Sequence, residues 1–512
     1  MTDSTNASNS GVRYQRVSEE YFQSRQLKRH AGLFTLWMLG VGAVIAGQYS
    51  GWNLGLLQGG FGGMLLAIVI IGAMYVLLCS SIGEMSAAMP HTGGAYSFSR
   101  SAMGPWGGFS TGLAENIEFV LAPAANMFFM SSYLAAIFDA PTWSLPLWWV
   151  GGYLVMLGLS LRGLELSMRV VVVITVAAVA VLIFFFLLAA PQVDVLRFAF
   201  DVGPDGPVDG GGAPFLPFGA TGIMLALPFA VYMFLAVEQL PLTAEESKNP
   251  KRDMPRALLL SIVTLFILAL GVLFFGAAIP NGASALGESG EPLLDGLRAL
   301  FGDGLAKLLA GIAVLGLAAS FLAGSFAGGR NIYSLSRAGY LPTGLSQTNP
   351  RTKTPNRALA AGSGLALGAL MILWFLGGRD NPTFMGGFLV SMIVFSGMVS
   401  YVLQSISFIR LRQLYPDIAR PFRSRFGVPG AIVTIGICGL TLVYQFLDPL
   451  YRWAAVAALV WYLVGMAYFA FYRRFRLVLS PEEEFAVTGG RQGAPLDIAH
   501  AQHETPMEKE KS

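Results

Sequence analysis

The chain has 512 residues, of which 54% are hydrophobic and only 12% are charged, whereas typical soluble domains contain about 25% charged residues. This composition indicates a polytopic membrane protein. The net charge of +3 is small and the basic residues are spread over loops, which argues against a nucleic-acid partner. Cys79 and Cys438 lie in apolar runs, so neither a disulfide framework nor a metal cluster is predicted from them. The N-terminal segment lacks an apolar core, and no cleavable signal peptide is expected.

About twelve apolar runs are long enough to cross a bilayer, which takes about 20 residues. In chain order they cover residues 33–56, 62–82, 106–137, 143–161, 170–190, 215–242, 257–279, 305–326, 358–376, 384–409, 428–446 and 453–472. The lipid bilayer is therefore a predicted partner of the chain.

Lysine and arginine predict the orientation of these spans, because cytoplasmic loops are enriched in both residues. If both termini are cytoplasmic, the outer loops carry only Arg197, Arg298, Lys307, Arg379 and Arg452. We therefore expect an N-terminal cytoplasmic segment over residues 1–30, a transmembrane domain over 31–476 and a cytoplasmic tail over 477–512.

The first span contains more glycine than an anchoring helix needs, together with the polar Gln48, Ser50 and Asn53. Glycine weakens a helix by about 1 kcal/mol relative to alanine, and an opened backbone in a membrane must face protein or a cavity. We expect a break over residues 41–47 whose free backbone groups bind a solute. The alternative is that the glycines are helix-packing contacts.

The third span carries Glu115, Asn116 and Glu118 near its middle. A charge at a helix centre costs about 2.5 to 3.5 kcal/mol in the membrane and is usually functional. The i, i+3 spacing places both glutamates on one face, and two such carboxylates cannot both ionise cheaply in a low dielectric. One is expected to exchange a proton that a cationic solute would displace. Alternatively, both satisfy buried polar groups without touching a substrate.

The sixth span reads PFAVYMFLAVEQLPLT over residues 228–243. Pro241 removes one backbone hydrogen bond beside Glu238 and Gln239. We expect a break over residues 234–237, facing the break in the first span if the protein consists of two inverted repeats. A continuous helix remains the alternative, because no glycine lies between Leu225 and Glu238.

Histidine placement argues against an enzyme. His30, His91, His500 and His503 all lie outside the predicted spans, so no intramembrane histidine is available as a base or metal ligand. We predict no catalytic residue, no resident cofactor and no metal site.

Two segments outside the spans have compositions typical of irregular chain. The outer loop over residues 191–214 contains GPDGPVDGGG and is expected to be mobile. The tail from Val478 onward is charged and lacks apolar periodicity, so disorder is expected, with a regulatory plug under the inner mouth as the alternative.

Four motifs carry a family resemblance: GVGAVIAG in the first span, GEMSAAMPHTGGAYSFSR over 83–100, AEESKNPKRDMPRA over 244–257, and SRAGYLP over 336–342 followed by KTP over 353–355. With these motifs, the chain resembles the amino acid, polyamine and organocation (APC) transporter superfamily over nearly all of its spans. GQYSGWNLGL in the first span and MGPWGGFSTGLAENIEF in the third most resemble bacterial ethanolamine permeases.

This resemblance implies an all-α LeuT-type fold. Spans one to five (31–190) and six to ten (215–412) would be inverted repeats, and two further helices (427–472) would lie outside that core. The resemblance also implies a bacterial inner (plasma) membrane location and a midplane substrate site between the unwound parts of the first and sixth spans.

The chain departs from the superfamily pattern in three places. The first-span turn that binds a substrate carboxylate in amino acid carriers is bulkier here, with Gln48 and Tyr49. The usual small glycine before the sixth-span glutamate is Ala236, although Glu238 is kept. The fifth span lacks the lysine that replaces sodium in some proton-coupled relatives, which puts that coupling mechanism in doubt.

These departures favour a small amine over an amino acid. We predict a secondary transporter that imports ethanolamine or a similar amine by alternating access, with an amino acid or polyamine permease or exchanger as the alternative and a channel or membrane enzyme as a different class. Glu115 and Glu118 would bind the ammonium group, the backbone over 41–47 the hydroxyl, and Phe234 with Glu238 would form a gate. Protons, sodium or exchange are open as energy sources, and the oligomeric state is undetermined.

The predicted substrate-binding residues are Val41, Gly42, Ala43, Gly47, Gln48, Glu115, Glu118, Phe234 and Glu238.

Overall fold

The computed structural model describes residues 12, 14–15, 31–89, 93–161, 164–352, 354–480, 483–484 and 486. Within this part of the chain, eleven helices are long and apolar enough to cross a membrane, and a shorter apolar helix covers Leu33–Val44. Together they account for the twelve predicted spans and confirm an all-α polytopic membrane protein.

The helices follow the predicted order, and we number the spans one to twelve. Their bounds are Leu33–Val44 with Ala46–Tyr49, Leu54–Ala88, Ala95–Ile137, Leu145–Leu161, Leu164–Ala189, Gly219–Tyr232 with a 3-10 helix over Val237–Glu246, Pro250–Ala277, Asp303–Arg337, Asn356–Leu373, Pro382–Leu414, Gly427–Leu447 and Arg452–Phe471.

Several helices are longer than the apolar runs that predicted them. The third span begins at Ala95 instead of residue 106, and the eighth continues to Arg337 instead of residue 326. Ser97, Ser99 and Arg337 in these extensions are buried by neighbouring helices. Hydropathy marks the part of a helix that lies in the bilayer, whereas protein packing lets the helix continue through polar residues.

The third span is the centre of the bundle and packs against the eighth and tenth spans. The second span packs against the sixth and seventh, and the first against the fifth, seventh and eighth. By contrast, spans four, five, nine and twelve are the least buried of the twelve and present apolar side chains outward. The first and sixth spans, which are the two interrupted ones, therefore lie inside the protein.

Between spans seven and eight, the chain forms two short helices that cover the bundle. They are Ala283–Glu288 and Pro292–Phe301. We call them the lid helices. The loop between spans five and six, over residues 191–214, was predicted to be mobile. It contains a π-helix over Val195–Ala199 and a small hairpin of Val202–Gly203 with Gly206–Pro207. Asp201 ties this segment to the first lid helix by accepting a hydrogen bond from Ser284 N at 2.9 Å. Glycine and proline content did not predict these contacts.

The terminal segments meet at the opposite face, which we call the termini face. Tyr14–Gln15 pairs as a parallel strand with Leu477–Val478, and Glu483 is fully buried. The prediction of disorder from Val478 onward is therefore wrong for the first residues of the tail, because a second strand and buried polar partners hold them. Residues 487–512 lie outside the described residues.

Candidate functional site

The first span breaks within the predicted interval. One helix ends at Val44 and the next begins at Ala46. The hydroxyl of Ser320, in the eighth span, accepts a hydrogen bond from Ala46 N at 2.9 Å and donates one to Gly42 O at 2.7 Å. A side-chain hydroxyl has thus inserted where an i to i−4 backbone bond would lie, which is a common cause of helix breaks.

The backbone groups of this break have partners inside the protein. Ser320 occupies Gly42 O, and Val41 O accepts a hydrogen bond from Ile45 N at 2.9 Å. The expectation that these carbonyls are free for a solute is therefore not met in this structure. A second, unpredicted interruption follows at residues 50–53, where Gly51 has a φ of +88°.

The glycines of the first span are packing contacts, the alternative that the sequence left open. A Cβ on Gly42 would collide with the Thr175 hydroxyl of the fifth span, and one on Gly47 with the carbonyl of Tyr232 in the sixth. Ala43 is buried within the same helix. Close helix approach, as in other membrane proteins, accounts for these small residues.

The sixth span also breaks where the sequence predicted. Its helix ends at Tyr232, and the 3-10 helix begins only at Val237. The intervening Ala236 has a left-handed backbone with a φ of +81°, which explains how the chain breaks without glycine. Gln48 Nε2 of the first span donates a hydrogen bond to Met233 O at 2.8 Å. The two breaks therefore face each other, as inverted repeats require.

Three carboxyl groups converge beside the sixth-span break. Glu115, Glu118 and Glu238 are 1%, 0% and 3% exposed. The carboxyls of Glu118 and Glu238 interact with each other, and none of their four oxygens has a hydrogen-bond partner among the described residues. Gln404 Nε2 of the tenth span lies 3.5 Å from Glu115 Oε1. No lysine or arginine of the described residues is among the groups that act on these three carboxyls. The cluster is thus acidic, and the described part of the chain places no basic residue beside it to balance the charge.

An aromatic wall closes one side of the acidic cluster. The hydroxyls of Tyr75 and Tyr401 are 3.1 Å apart, and both rings are close enough to interact with Glu118 and Glu238. The predicted gate residue Phe234 packs on Tyr75 with ring centroids 5.6 Å apart. Phe234 therefore supports the aromatic wall by packing against its second-span member, Tyr75.

The structure brings the predicted carboxyl and gate residues into one cluster, whereas the predicted residues over 41–47 belong to the first-span break described above. Glu115, Glu118, Glu238 and Phe234 belong to one cluster, and Gln48 adjoins the same break through Met233. Sequence reasoning missed Ser320, Tyr75, Tyr401 and Gln404. Serine and tyrosine are common in membrane spans, so no sequence signal separated these from ordinary packing residues. Of these residues, only Gln404, an amide within an apolar run, carried a sequence signal that could have identified it.

Comparisons with known proteins agree with this geometry. Residues 32–480 match the family model described as amino acid permease. The methylthioribose transporter of Bacillus subtilis is 24% identical over 89% of this chain and 96% of its own length. The branched-chain amino acid permease BcaP of the same organism is 24% identical over 88% of this chain and 94% of its own length.

A solved structure shows the same fold. A crystal structure of a manganese transporter variant from Eremococcus coleocola aligns with a TM-score of 0.52, covering 91% of this chain and 100% of the other, at 15% identity. At that identity the likeness concerns the fold alone. With the two facing breaks, it confirms the predicted LeuT-type architecture.

Proposed function

Because the chain belongs to the amino acid permease family, we propose that it is a secondary active transporter that imports a small organic amine, with ethanolamine as the proposed substrate. The observation that carries this proposal is the cluster of Glu115, Glu118 and Glu238 without a basic partner. Buried carboxylates are costly unless a cation pairs with them, and a substrate ammonium group provides that cation.

The rest of the site suits an amino alcohol better than an amino acid. An amino acid adds a carboxylate, which needs free donors, but the backbone of the first-span break is already bonded to Ser320. Gln48 Oε1 is buried and receives no hydrogen bond from the described residues. We assign it as the acceptor for the substrate hydroxyl, in place of the backbone over residues 41–47.

Small cavities of about 10 Å³ lie on both sides of the breaks, each with room for about one water molecule. One is lined by Gln48, Tyr49 and Trp52 together with the second lid helix. The other is lined by Gln239, Thr243 and Arg330. We propose that they are the closed outer and inner halves of an alternating-access pathway, with the termini face in the cytoplasm of a bacterium and the lid helices outside its inner membrane.

Uptake of radiolabelled ethanolamine into proteoliposomes tests the proposal. Glu118→Gln keeps the shape of the side chain but removes its charge, so saturable uptake should fall roughly tenfold or more, the equivalent of at least about 1.4 kcal/mol. Glu288→Gln changes an exposed glutamate of the lid and is the matched control. Normal uptake by a folded Glu118→Gln variant would exclude Glu118 from the site.

The second candidate is an amino acid or polyamine permease or exchanger, which the relatives named as amino acid permeases favour. Competition by choline, glutamate, arginine and putrescine separates the two. Trans-stimulation by internal amino acid would support an exchanger. Flux without saturation would indicate a channel, and a chemically altered solute would indicate an enzyme.

A further inference from the structure

The carboxyls of Glu118 and Glu238 form a pair that needs a proton. Glu118 comes from the third span and Glu238 from the 3-10 helix of the sixth, and both carboxyls are buried and interact with each other. None of their four oxygens has a hydrogen-bond partner among the described residues. Two ionised carboxylates offer only acceptors and cannot stabilise each other, whereas one proton on the pair supplies a donor. Like charges at such a distance also cannot both persist in a dry interior.

Among the described residues, the elements packed against the pair supply no positive charge in place of that proton. The second span contributes Tyr75 and Cys79, the third contributes Glu115, and the tenth contributes Tyr401. Every one of these groups is either neutral or negative. In the closed conformation the Glu118–Glu238 pair therefore holds one proton and one negative charge.

Resting on the proposed function, we propose that substrate binding exchanges this shared proton for the substrate ammonium. The ammonium N–H groups donate hydrogen bonds to both carboxylates, the O–H bond of the protonated carboxyl breaks, and the proton leaves to solvent along the open half of the pathway. The pair then carries two negative charges, and the bound ammonium returns the total to one.

This exchange keeps the buried charge constant in every closed state. A carrier loaded with ammonium and a carrier loaded with a proton bury the same net charge, whereas a carrier with neither buries two unbalanced carboxylates at high cost. A full cycle should therefore exchange each delivered amine for one proton carried back to the outside, and movement of the amine down its own gradient drives this exchange inward. Glu115 stays outside the exchange, because Gln404 Nε2 already lies 3.5 Å from its carboxyl.

Isothermal titration calorimetry on the purified full chain tests the exchange directly. Ethanolamine hydrochloride is titrated in buffers of different ionisation enthalpy, at a pH where the amine is fully protonated. We expect one proton released per amine bound, and a Kd that falls about tenfold for each unit of rising pH, as linkage requires. Binding without proton release and with a constant Kd would overturn the exchange and leave the proposed function standing.

Variants locate the proton. Glu238→Gln leaves Glu118 to bind the amine but removes the second carboxyl, so proton release should disappear, whereas Glu288→Gln should still release one proton. One proton released by Glu238→Gln would contradict the proposal. If putrescine or arginine binds in place of ethanolamine and releases a proton, the substrate is wrong and the exchange stands. If none of the three compounds binds, both proposals fail.

Discussion

At the scale of single residues, Ala236 is the strained position of the site. Its φ of +81° places it in the left-handed region. There the conformational energy of a residue other than glycine is about 1–2 kcal/mol higher, because the Cβ approaches a carbonyl oxygen. It stands two residues before Glu238 and permits the turn that presents this carboxyl to Glu118. Backbone strain often collects at functional positions, and here it does so at the hinge between the two halves of the sixth span.

Replacing Ala236 by glycine should stabilise the protein. The relieved strain exceeds the entropy cost of an added glycine, so the free energy of unfolding should rise by about 0.5–1 kcal/mol. Ala230→Gly, in the regular helix just before the break, should instead lower it by about 1 kcal/mol. Thermal midpoints of the purified variants measure both changes, and a lower midpoint for Ala236→Gly would show that the backbone is not strained.

At the scale of elements, Glu483 joins the C-terminal segment to the termini face. Its carboxylate accepts hydrogen bonds from the hydroxyls of Tyr14, Tyr96 and Tyr340 at 2.7, 2.6 and 3.0 Å. Arg100 Nε donates another at 2.5 Å. These buried contacts connect both chain ends to the third and eighth spans. They explain why a charged segment without apolar periodicity is nevertheless ordered there.

Glu483→Gln should release this segment from the bundle. Removing one partner of a buried ion pair costs about 3–5 kcal/mol, because Arg100 is left buried without its counterion. The amide of Val478, which donates to Ala338 O at 2.9 Å, should then exchange its hydrogen faster. Mass-spectrometric hydrogen exchange of that peptide measures the effect. Glu484→Gln, an exposed neighbour, is the control and should leave the exchange rate unchanged.

The lid helices are hydrogen-bonded to the ends of the first and third spans that lie away from the termini face. Asn53 Nδ2 donates hydrogen bonds to the carbonyls of Leu286 and Ser289 at 2.7 and 2.8 Å. Leu293 N donates to the hydroxyl of Tyr133 at 3.1 Å. The lid is therefore coupled to the second interruption of the first span, and movement of either element must break these bonds.

The lid should lose stability as the pH rises towards neutrality. Burial raises the pKa of Glu291 to about 7, with a further rise from Asp295 and an opposing effect of Arg298. A carboxyl whose folded pKa is raised contributes stability that is complete below about pH 4.5 and is lost as the pH passes 7, about 3 kcal/mol in total. Thermal midpoints between pH 4.5 and 8 should fall in the parent protein and in Glu288→Gln. Glu291→Gln should flatten this part of the curve; an unchanged slope would contradict the assignment.

At the scale of the whole molecule, twelve spans and the strand pair of Tyr14–Gln15 with Leu477–Val478 place the first and last described strands on one face. The distribution of lysine and arginine predicts that this face is cytoplasmic. A green fluorescent protein fused to the C-terminus should therefore fluoresce in bacterial cells, and alkaline phosphatase fused there should be inactive. Phosphatase inserted at the turn before Pro382, which lies on the lid side, should be active. The reverse pattern would invert the proposed direction of transport.

Much of this architecture could be predicted from the sequence, because a bilayer imposes a length and polarity on each span. The twelve spans and both breaks were predictable in this way. The carboxyls of Glu115, Glu118 and Glu238 were also recognisable, since a charge inside an apolar run is costly and therefore conspicuous. The predicted substrate roles of these residues stay predictions.

The tertiary structure alone decided which groups meet. The hydroxyl of Ser320 bonds to the backbone of the first-span break, and the carboxyl of Glu238 lies beside that of Glu118. The residues of each contact are far apart in the chain, and they meet only when the two repeats pack together. The same packing turned Gly42 and Gly47 into helix contacts and gave Glu483 its buried partners. The sequence by itself determined at which positions polar residues lie within the membrane spans, because that depends only on each residue and its immediate neighbours. The structure determined what satisfies each polar group, because hydrogen bonds act over about 3 Å and depend on how the helices cross.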